Sequence, residues 1–218
     1  ETLLIDDLKF QFFHESDISK LPWKNLNIDF VIESTGKFKT TETAGLHITA
    51  GAKKVILSAP SEDEKIKTVV LGVNEHIIDG SETIISNASC TTNNAAPMLK
   101  IIQELCGIEQ AYITTVHSYT TDQSLHDQPH KDLRRARGAA QSIVPTTTGA
   151  AKALTKIFPE LDGKMGGCGI RVPVPDGSLT DITFNVKRQV SIEEINDAFR
   201  QASENHLKGI LSYTEDPI

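Results

Sequence analysis

The sequence predicts an α/β fold in two parts: a doubly wound parallel sheet over the first ninety residues, then an α+β region with a mixed sheet. Three observations carry this. Short, nearly continuous apolar runs separated by turn residues recur before residue 90, the pattern of parallel strands covered on both faces. Beyond that point helical periodicity and strict alternation take over. And 218 residues with 39% apolar and 23% charged side chains can build a real core, with no Pro/Gly/Ser-dominated tract of a disordered or collagenous chain. The spacing places the boundary near Cys90, giving segments 1–89 and 90–218.

In order along the chain, Ile28–Ile32 reads as a strand ending in the turn Glu33-Ser-Thr-Gly. Thr41–Ala50 is helix-like, with Gly51 placed to terminate it. Val55–Ala59 is β-rich and stopped by Pro60; Thr68–Val73 and Thr83–Ser86 follow as further strands. Met98, Ile101, Ile102 and Leu105 mark one helical face closed by Gly107, and Pro97 predicts a kink or a late start. Ala111–His117 is strongly β-prone. The polar stretch Ser118–Arg137 is too long for a plain connector, and such loops are usually functional. Ile182, Phe184 and Val186 alternate with polar residues, a half-buried strand. Ser191–Glu194 is a capping box opening a helix whose inner face is Ile195, Ala198, Phe199 and Ala202.

Basic residues number 22 against 29 acidic ones, a formal charge of −7. A nucleic-acid or membrane-surface binder leans the other way, so neither partner is expected. No apolar run approaches the roughly 18 residues that span a bilayer, and Glu1-Thr-Leu-Leu-Ile-Asp-Asp has no signal-peptide character. Three cysteines at unrelated spacings suit no disulfide framework or CxxC zinc site, which favours a reducing cytoplasm. The start, without an initiating Met, reads as the interior of a longer chain.

Cys90 follows a strand and opens a helix, where exposed N–H groups favour a thiolate, a strong nucleophile towards carbonyl carbon. Taken alone, the heavier reading is a small buried apolar side chain. Cys106, mid-helix, and Cys168, in a Gly-rich turn, keep that reading. His117 ends its strand 27 residues after Cys90; such a His can reach a helix-start Cys as base and oxyanion donor. His126 and His130 resemble a metal pair, but Pro129 breaks the helical spacing, so no metal site is expected. Thr146-Thr-Thr-Gly149 precedes a helical run and could cradle a phosphate, with Arg134, Arg135, Arg137 and Arg171 adding charge. A helix cap and a solvated or subunit-facing Arg run explain the same residues equally well.

Five motifs in order change that balance: Ser-Asn-Ala-Ser-Cys-Thr-Thr-Asn (86–93), Thr-Thr-Val-His-Ser-Tyr-Thr (114–120), His-Lys-Asp-Leu-Arg-Arg-Ala-Arg (130–137), Val-Pro-Thr-Thr-Thr-Gly-Ala-Ala-Lys-Ala (144–153) and Arg-Val-Pro (171–173). With Glu-Ser-Thr-Gly-Lys-Phe (33–38) and Lys-Lys-Val-Ile-Leu-Ser-Ala-Pro (53–60), they resemble the phosphorylating glyceraldehyde-3-phosphate dehydrogenase family over nearly the whole chain. The resemblance implies the later part of a Rossmann-type NAD-binding domain (1–89) followed by most of a catalytic domain (90–218). It implies oxidative phosphorylation of glyceraldehyde 3-phosphate, with Cys90 as nucleophile and His117 as base. Thr120 and Arg171, with Asp122 nearby, match the pocket for the substrate's phosphate. Ser89, Thr91, Arg135 (Arg134 close behind), Thr148 and Gly149 match the site for attacking phosphate. Thr35, Gly36, Phe38 and Ser58 match positions lining the NAD cleft, and the 118–141 loop matches one that joins subunits of a homotetramer.

Departures are equally specific. The glycine fingerprint, the acidic residue that selects NAD, the Asn that orients nicotinamide and the helix that closes the first domain are not among these residues. The expectation is that residues 1–218 alone do not turn over NAD. Asn94 stands where a second Cys is frequent, and Gln128 precedes Pro129 where NAD-preferring members often carry Leu, so NADP stays open. Rival readings are an erythrose-4-phosphate or semialdehyde dehydrogenase of the same superfamily, and a non-catalytic homologue that keeps the fold.

Overall fold

The computed structural model describes residues 1–217; Ile218, the end of the segment 90–218 assigned above to the second domain, lies outside the described residues. Two compact units emerge, one of Glu1–Val69 with His76–Ala88 and one of Val70–Glu75 with the residues from Ser89 onward.

The first unit opens with an antiparallel hairpin, β1 (Thr2–Ile5) and β2 (Leu8–Gln11). Next come β3 (Phe30–Glu33), α1 (Thr41–Thr49), β4 (Lys54–Leu57), β5 (Lys67–Thr68) and β6 (Ile84–Ser86). The four strands form one parallel sheet in the order β3-β4-β6-β5. Alternate side chains fill one face: Val31 pairs with Val55, Glu33 with Leu57, and Val55 with Ile84, all buried with Ala44 of α1. A reciprocal Thr40–Thr43 capping box starts α1. Gly51 ends it at φ +110°, where an added Cβ would lie 2.4 Å from that of Lys24. On the other face Phe30 and Ile32 stay 61% and 68% exposed. Cover on both faces, expected from the apolar runs, is therefore found on one. The reason is local: α1 is this unit's single α-helix among the described residues, and the chain between β5 and β6 forms only a one-turn 3₁₀ helix, Glu75–Ile77.

The run Thr68–Val73 is a strand only at its start. Val70 donates its N–H to Asn74 Oδ1 at 2.8 Å and accepts from Val73 and Asn74, a turn that overrides β-branched propensity. This turn belongs to the second unit. Gly72, at φ +77°, lies where a Cβ would meet Leu207 at 2.5 Å, and Lys100 Nζ donates to its carbonyl at 2.9 Å.

The second unit comprises α2 (Cys90–Cys106), β7 (Ile108–Ser118), β8 (Val144–Thr146), α3 (Ala150–Ile157), β9 (Met165–Val172), β10 (Ser178–Val186) and α4 (Ile192–Glu204). Its sheet is mixed, ordered β10-β7-β9-β8, with β7 and β9 parallel and the outer pairs antiparallel. Ser89 caps α2, which runs from Cys90 through a buried Pro97, so the late start does not occur. Its buried row is Ala95, Leu99, Ile102 and Cys106, leaving Met98 and Leu105 half-buried at its margin. Cys106 is the last helical residue rather than mid-helix. The Ser191–Glu194 capping box opens α4, which seats Ala198, Phe199 and Ala202 against Ile101 and Leu207.

Cys168 lies in the middle of β9, not in a turn. The neighbouring glycines permit close approach rather than reversal. A Cβ at Gly166 would stand 2.9 Å from the Tyr112 ring, at Gly167 2.9 Å from the Ile113 carbonyl, and at Gly169 3.2 Å from Thr146. Gly167→Ala, which forces backbone apart, is expected to destabilise the fold by about 1–3 kcal/mol. The shift in urea midpoint measures this, and an unchanged midpoint would show that the sheet yields freely.

Candidate active site

Cys90 occupies the first position of α2 with an exposed thiol. The Ser89 hydroxyl accepts the Thr92 N–H at 3.1 Å and lies 2.8 Å from Thr92 Oγ1, so Ser89 fixes the helix start. Thr91 beside it is buried. Helix-start N–H groups and the positive end of the helix dipole thus meet at the sulfur. Cys90 Sγ is 3.4 Å from His117 Nε2, presented near the carboxyl end of β7.

His117 has two competing partners at its other nitrogen. Nδ1 is 2.7 Å from the Ser118 carbonyl and 2.6 Å from Arg171 Nη1, which also donates to that carbonyl at 3.0 Å. A neutral imidazole satisfies one of these, since Nδ1 either carries a proton for the carbonyl or offers a lone pair to the guanidinium. Donation to Ser118 leaves an Nε2 lone pair facing the thiol, the form of a base. Acceptance from Arg171 leaves Nε2–H facing the sulfur. Arg171 faces His117 because β7 and β9 pair these residues directly. Burial, then the neighbouring Arg135, draws the Arg171 guanidinium below the usual arginine value, against the pull of Asp122 and Cys90.

A second cluster ties the long loop to β8. Arg135 donates through Nε and Nη2 to Thr146 Oγ1 at 3.0 and 2.7 Å, and through Nη1 to Asp122. Its guanidinium is engaged there, while Arg134 is exposed and bonds through its backbone to Asp132. His130 lies 3.7 Å from Asp122. Thr148 Oγ1 accepts the Ala150 N–H at 3.2 Å, and Gly149 is the N-cap of α3. Thr120 is half-buried, and its carbonyl accepts from Gln123 at 2.9 Å. The structure thus joins Cys90, His117 and Arg171 in one chain of contacts, and Arg135 and Asp122 in another.

The other two cysteines lie in different surroundings. Burial pushes the Cys106 thiol up, and it donates to the Ile102 carbonyl at 3.4 Å. Cys168, half-buried, lies 3.9 Å from Thr114 Oγ1.

In the first unit, Thr35, Gly36 and Phe38 follow β3 and Ser58 follows β4. These are carboxyl ends of adjacent parallel strands, where open α/β sheets take ligands. Gly36 has φ +71° and open space where a Cβ would stand, and Ser58 donates to the Glu33 carbonyl at 3.0 Å. Behind this turn sits a set of residues that sequence reasoning missed. Glu33 Oε2 meets His47 Nε2 at 3.1 Å with both side chains about 95% buried (4% and 5% exposed), and Trp23 Nε1 donates to His47 Nδ1 at 3.0 Å. Burial would raise the Glu33 carboxyl, but hydrogen bonds from Thr35 and His47 hold it below the ordinary glutamate value. The available signal was a Glu at an inward position of an apolar strand, two residues after Val31, matched by a His three after the buried Ala44.

Among the described residues no helix is long and apolar enough to cross a membrane. Comparison with known families matches residues 89–218 to the glyceraldehyde 3-phosphate dehydrogenase C-terminal domain, and residues 1–41 to the NAD binding domain of the same enzymes. Glyceraldehyde-3-phosphate dehydrogenase 2 of Streptomyces avermitilis is 53% identical over 219 residues, covering all of this chain and 65% of that protein. The Mycobacterium avium glyceraldehyde-3-phosphate dehydrogenase is 57% identical over 198 residues, covering 91% of this chain and 58% of its own. The chain therefore spans about three-fifths of the length of these relatives.

Proposed function

The chain belongs to the glyceraldehyde 3-phosphate dehydrogenase family, and on that premise we propose that it carries the thiol chemistry of an NAD-dependent phosphorylating aldehyde dehydrogenase acting on glyceraldehyde 3-phosphate. The supporting observation is the exposed Cys90 thiol at a helix N-terminus, 3.4 Å from His117 Nε2.

Cys90 Sγ adds to the aldehyde carbon, giving a thiohemiacetal, while His117 holds the thiol proton at Nε2. Nε2–H bonds the developing oxyanion and passes its proton to it, giving the thiohemiacetal hydroxyl. As the hydroxyl proton returns to His117, the carbon becomes a thioester. Acceptance of the departing hydride is the chemistry that NAD supplies when bound. Inorganic phosphate attacks the thioester and releases an acyl phosphate, 1,3-bisphosphoglycerate, and the Cys90 thiolate. Arg171 and Thr120 bind the substrate's phosphate, with Asp122 nearby as the acceptor that holds Arg135. Ser89, Thr91, Arg135, Thr148 and Gly149 serve the attacking phosphate. Thr35, Gly36, Phe38 and Ser58 line the dinucleotide's place, and the open, positive-φ Gly36 fits close backbone approach.

A homotetramer joined through the 118–141 loop is part of this reading, supported by Leu125 and Leu133, 72% and 82% exposed on that loop. The three free cysteines support a reducing, cytoplasmic setting.

The test follows NADH formation by the native protein with glyceraldehyde 3-phosphate, erythrose 4-phosphate and an acidic semialdehyde, each with phosphate. Preference for the first, loss of turnover in Cys90→Ser, and alkylation by iodoacetate at Cys90 well ahead of Cys106 and Cys168 are expected. Turnover that survives Cys90→Ser, or equal alkylation of all three thiols, overturns the assignment.

A further inference from the structure

The missed residues behind the Thr35 turn form a hydrogen-bonded chain with a single possible polarity. An indole N–H only donates, so His47 Nδ1, 3.0 Å from Trp23 Nε1, carries no proton. The proton of a neutral His47 is then on Nε2, which donates to Glu33 Oε2 at 3.1 Å. The other oxygen, Glu33 Oε1, accepts both the Thr35 N–H, at 2.8 Å, and the Thr35 hydroxyl. With its own proton committed to Glu33, Thr35 Oγ1 accepts the Lys37 N–H at 3.2 Å. Donors therefore converge on one buried carboxylate from both sides, and its grip closes the turn that carries Gly36 at φ +71°.

We propose that Glu33 and His47 are positioning residues that preset the Thr35–Gly36–Lys37 turn for the dinucleotide. The ligand in this statement rests on the NAD reading above; the presetting does not. A buried pair that merely packed the core would not need a carboxylate reaching two residues forward into an exposed turn. Nor would it need an imidazole whose tautomer is fixed from behind. The polarity makes Glu33→Gln, nearly isosteric, an informative change. To keep accepting from Thr35, the new amide oxygen must face the turn, so its NH2 faces His47. Either His47 tautomer then sets two donors against each other, at the introduced amide or at Trp23. His47→Gln is the opposite control, because its amide can still accept from Trp23 and donate to Glu33.

The experiment uses the native protein, with and without NAD. Without nucleotide, Glu33→Gln is expected to raise amide hydrogen exchange at Thr35 and Lys37 by roughly tenfold, the effect of one ordinary hydrogen bond. With nucleotide, the Kd for NAD by calorimetry should rise by about tenfold, while the rate of Cys90 alkylation is unchanged. His47→Gln should stay within about threefold of the parent in both measurements. Should Glu33→Gln not fold, Thr35→Val, which leaves Glu33, His47 and Trp23 intact, is expected to raise exchange at Lys37 alone. Parental exchange and parental Kd in Glu33→Gln, even with a lowered Tm, overturn the proposal. Faster exchange in Glu33→Gln in a protein whose parent shows no saturable NAD binding upholds the presetting and overturns the NAD reading.

Discussion

Replacing His117 by Asn is expected to slow acylation of Cys90 by about 10²–10⁴-fold in single-turnover measurements with saturating aldehyde and nucleotide. Asn keeps a donor near the oxyanion but cannot take a proton from sulfur or return one. The loss should therefore fall on the chemical step, with the KM of the aldehyde little changed. His117 stands at 3.4 Å from the sulfur and close to the end of a strand whose interior is packed, so the substitution has little core to disturb. A decrease of less than about tenfold would mean that the sulfur is activated by the helix terminus alone.

The second large effect concerns Arg171. Arg171→Leu is expected to raise the KM for the phosphorylated aldehyde by about 10–100-fold, the worth of one or two charge-assisted hydrogen bonds. The same change removes the 2.6 Å contact with His117 Nδ1, which frees Nδ1–H for the Ser118 carbonyl and leaves Nε2 as an acceptor. Oxidation of a small aldehyde without phosphate should therefore survive in Arg171→Leu. Thr148→Val, at the start of α3, should instead weaken the dependence on inorganic phosphate. If both variants altered the same kinetic parameter to the same degree, the division into two phosphate pockets would be wrong.

Much of this was legible from local chemistry. Capping at Ser191, the stop at Gly107 and the alternation of Ile182, Phe184 and Val186 are encoded within a few residues, and each element formed where its signals lie. Two of the departures have one cause: composition does not by itself fix conformation. Thr68–Val73 is rich in β-branched residues, but Asn74 captures the Val70 amide and turns the chain. Gly166–Gly169 looks like a turn, but the glycines are there because Tyr112, Ile113 and Thr146 leave no room for side chains. The pairing of Cys90 with His117 could be suspected from strand-end and helix-start placement. The contact of Arg171 with His117 could not, because it depends on two strands 54 residues apart lying in one register. The Glu33–His47–Trp23 chain was hidden for a similar reason: its polarity appears only when three separate segments meet.

That shared register makes the sheet a ruler. His117 and Arg171 are cross-strand partners between β7 and β9, as are Thr115 with Gly169 and Ile113 with Gly167. One residue inserted between Met165 and Arg171 would turn Arg171 to the opposite face of the sheet. Placed between Gly166 and Gly167, it would also set a side chain against the Ile113 carbonyl where Gly167 now stands. An insertion in the loop between β7 and β8 leaves this register untouched and shifts only what the loop itself carries. Length variation in this lineage should thus collect between residues 119 and 143 and be purged from β9, whose count of residues sets how far the guanidinium lies from the imidazole.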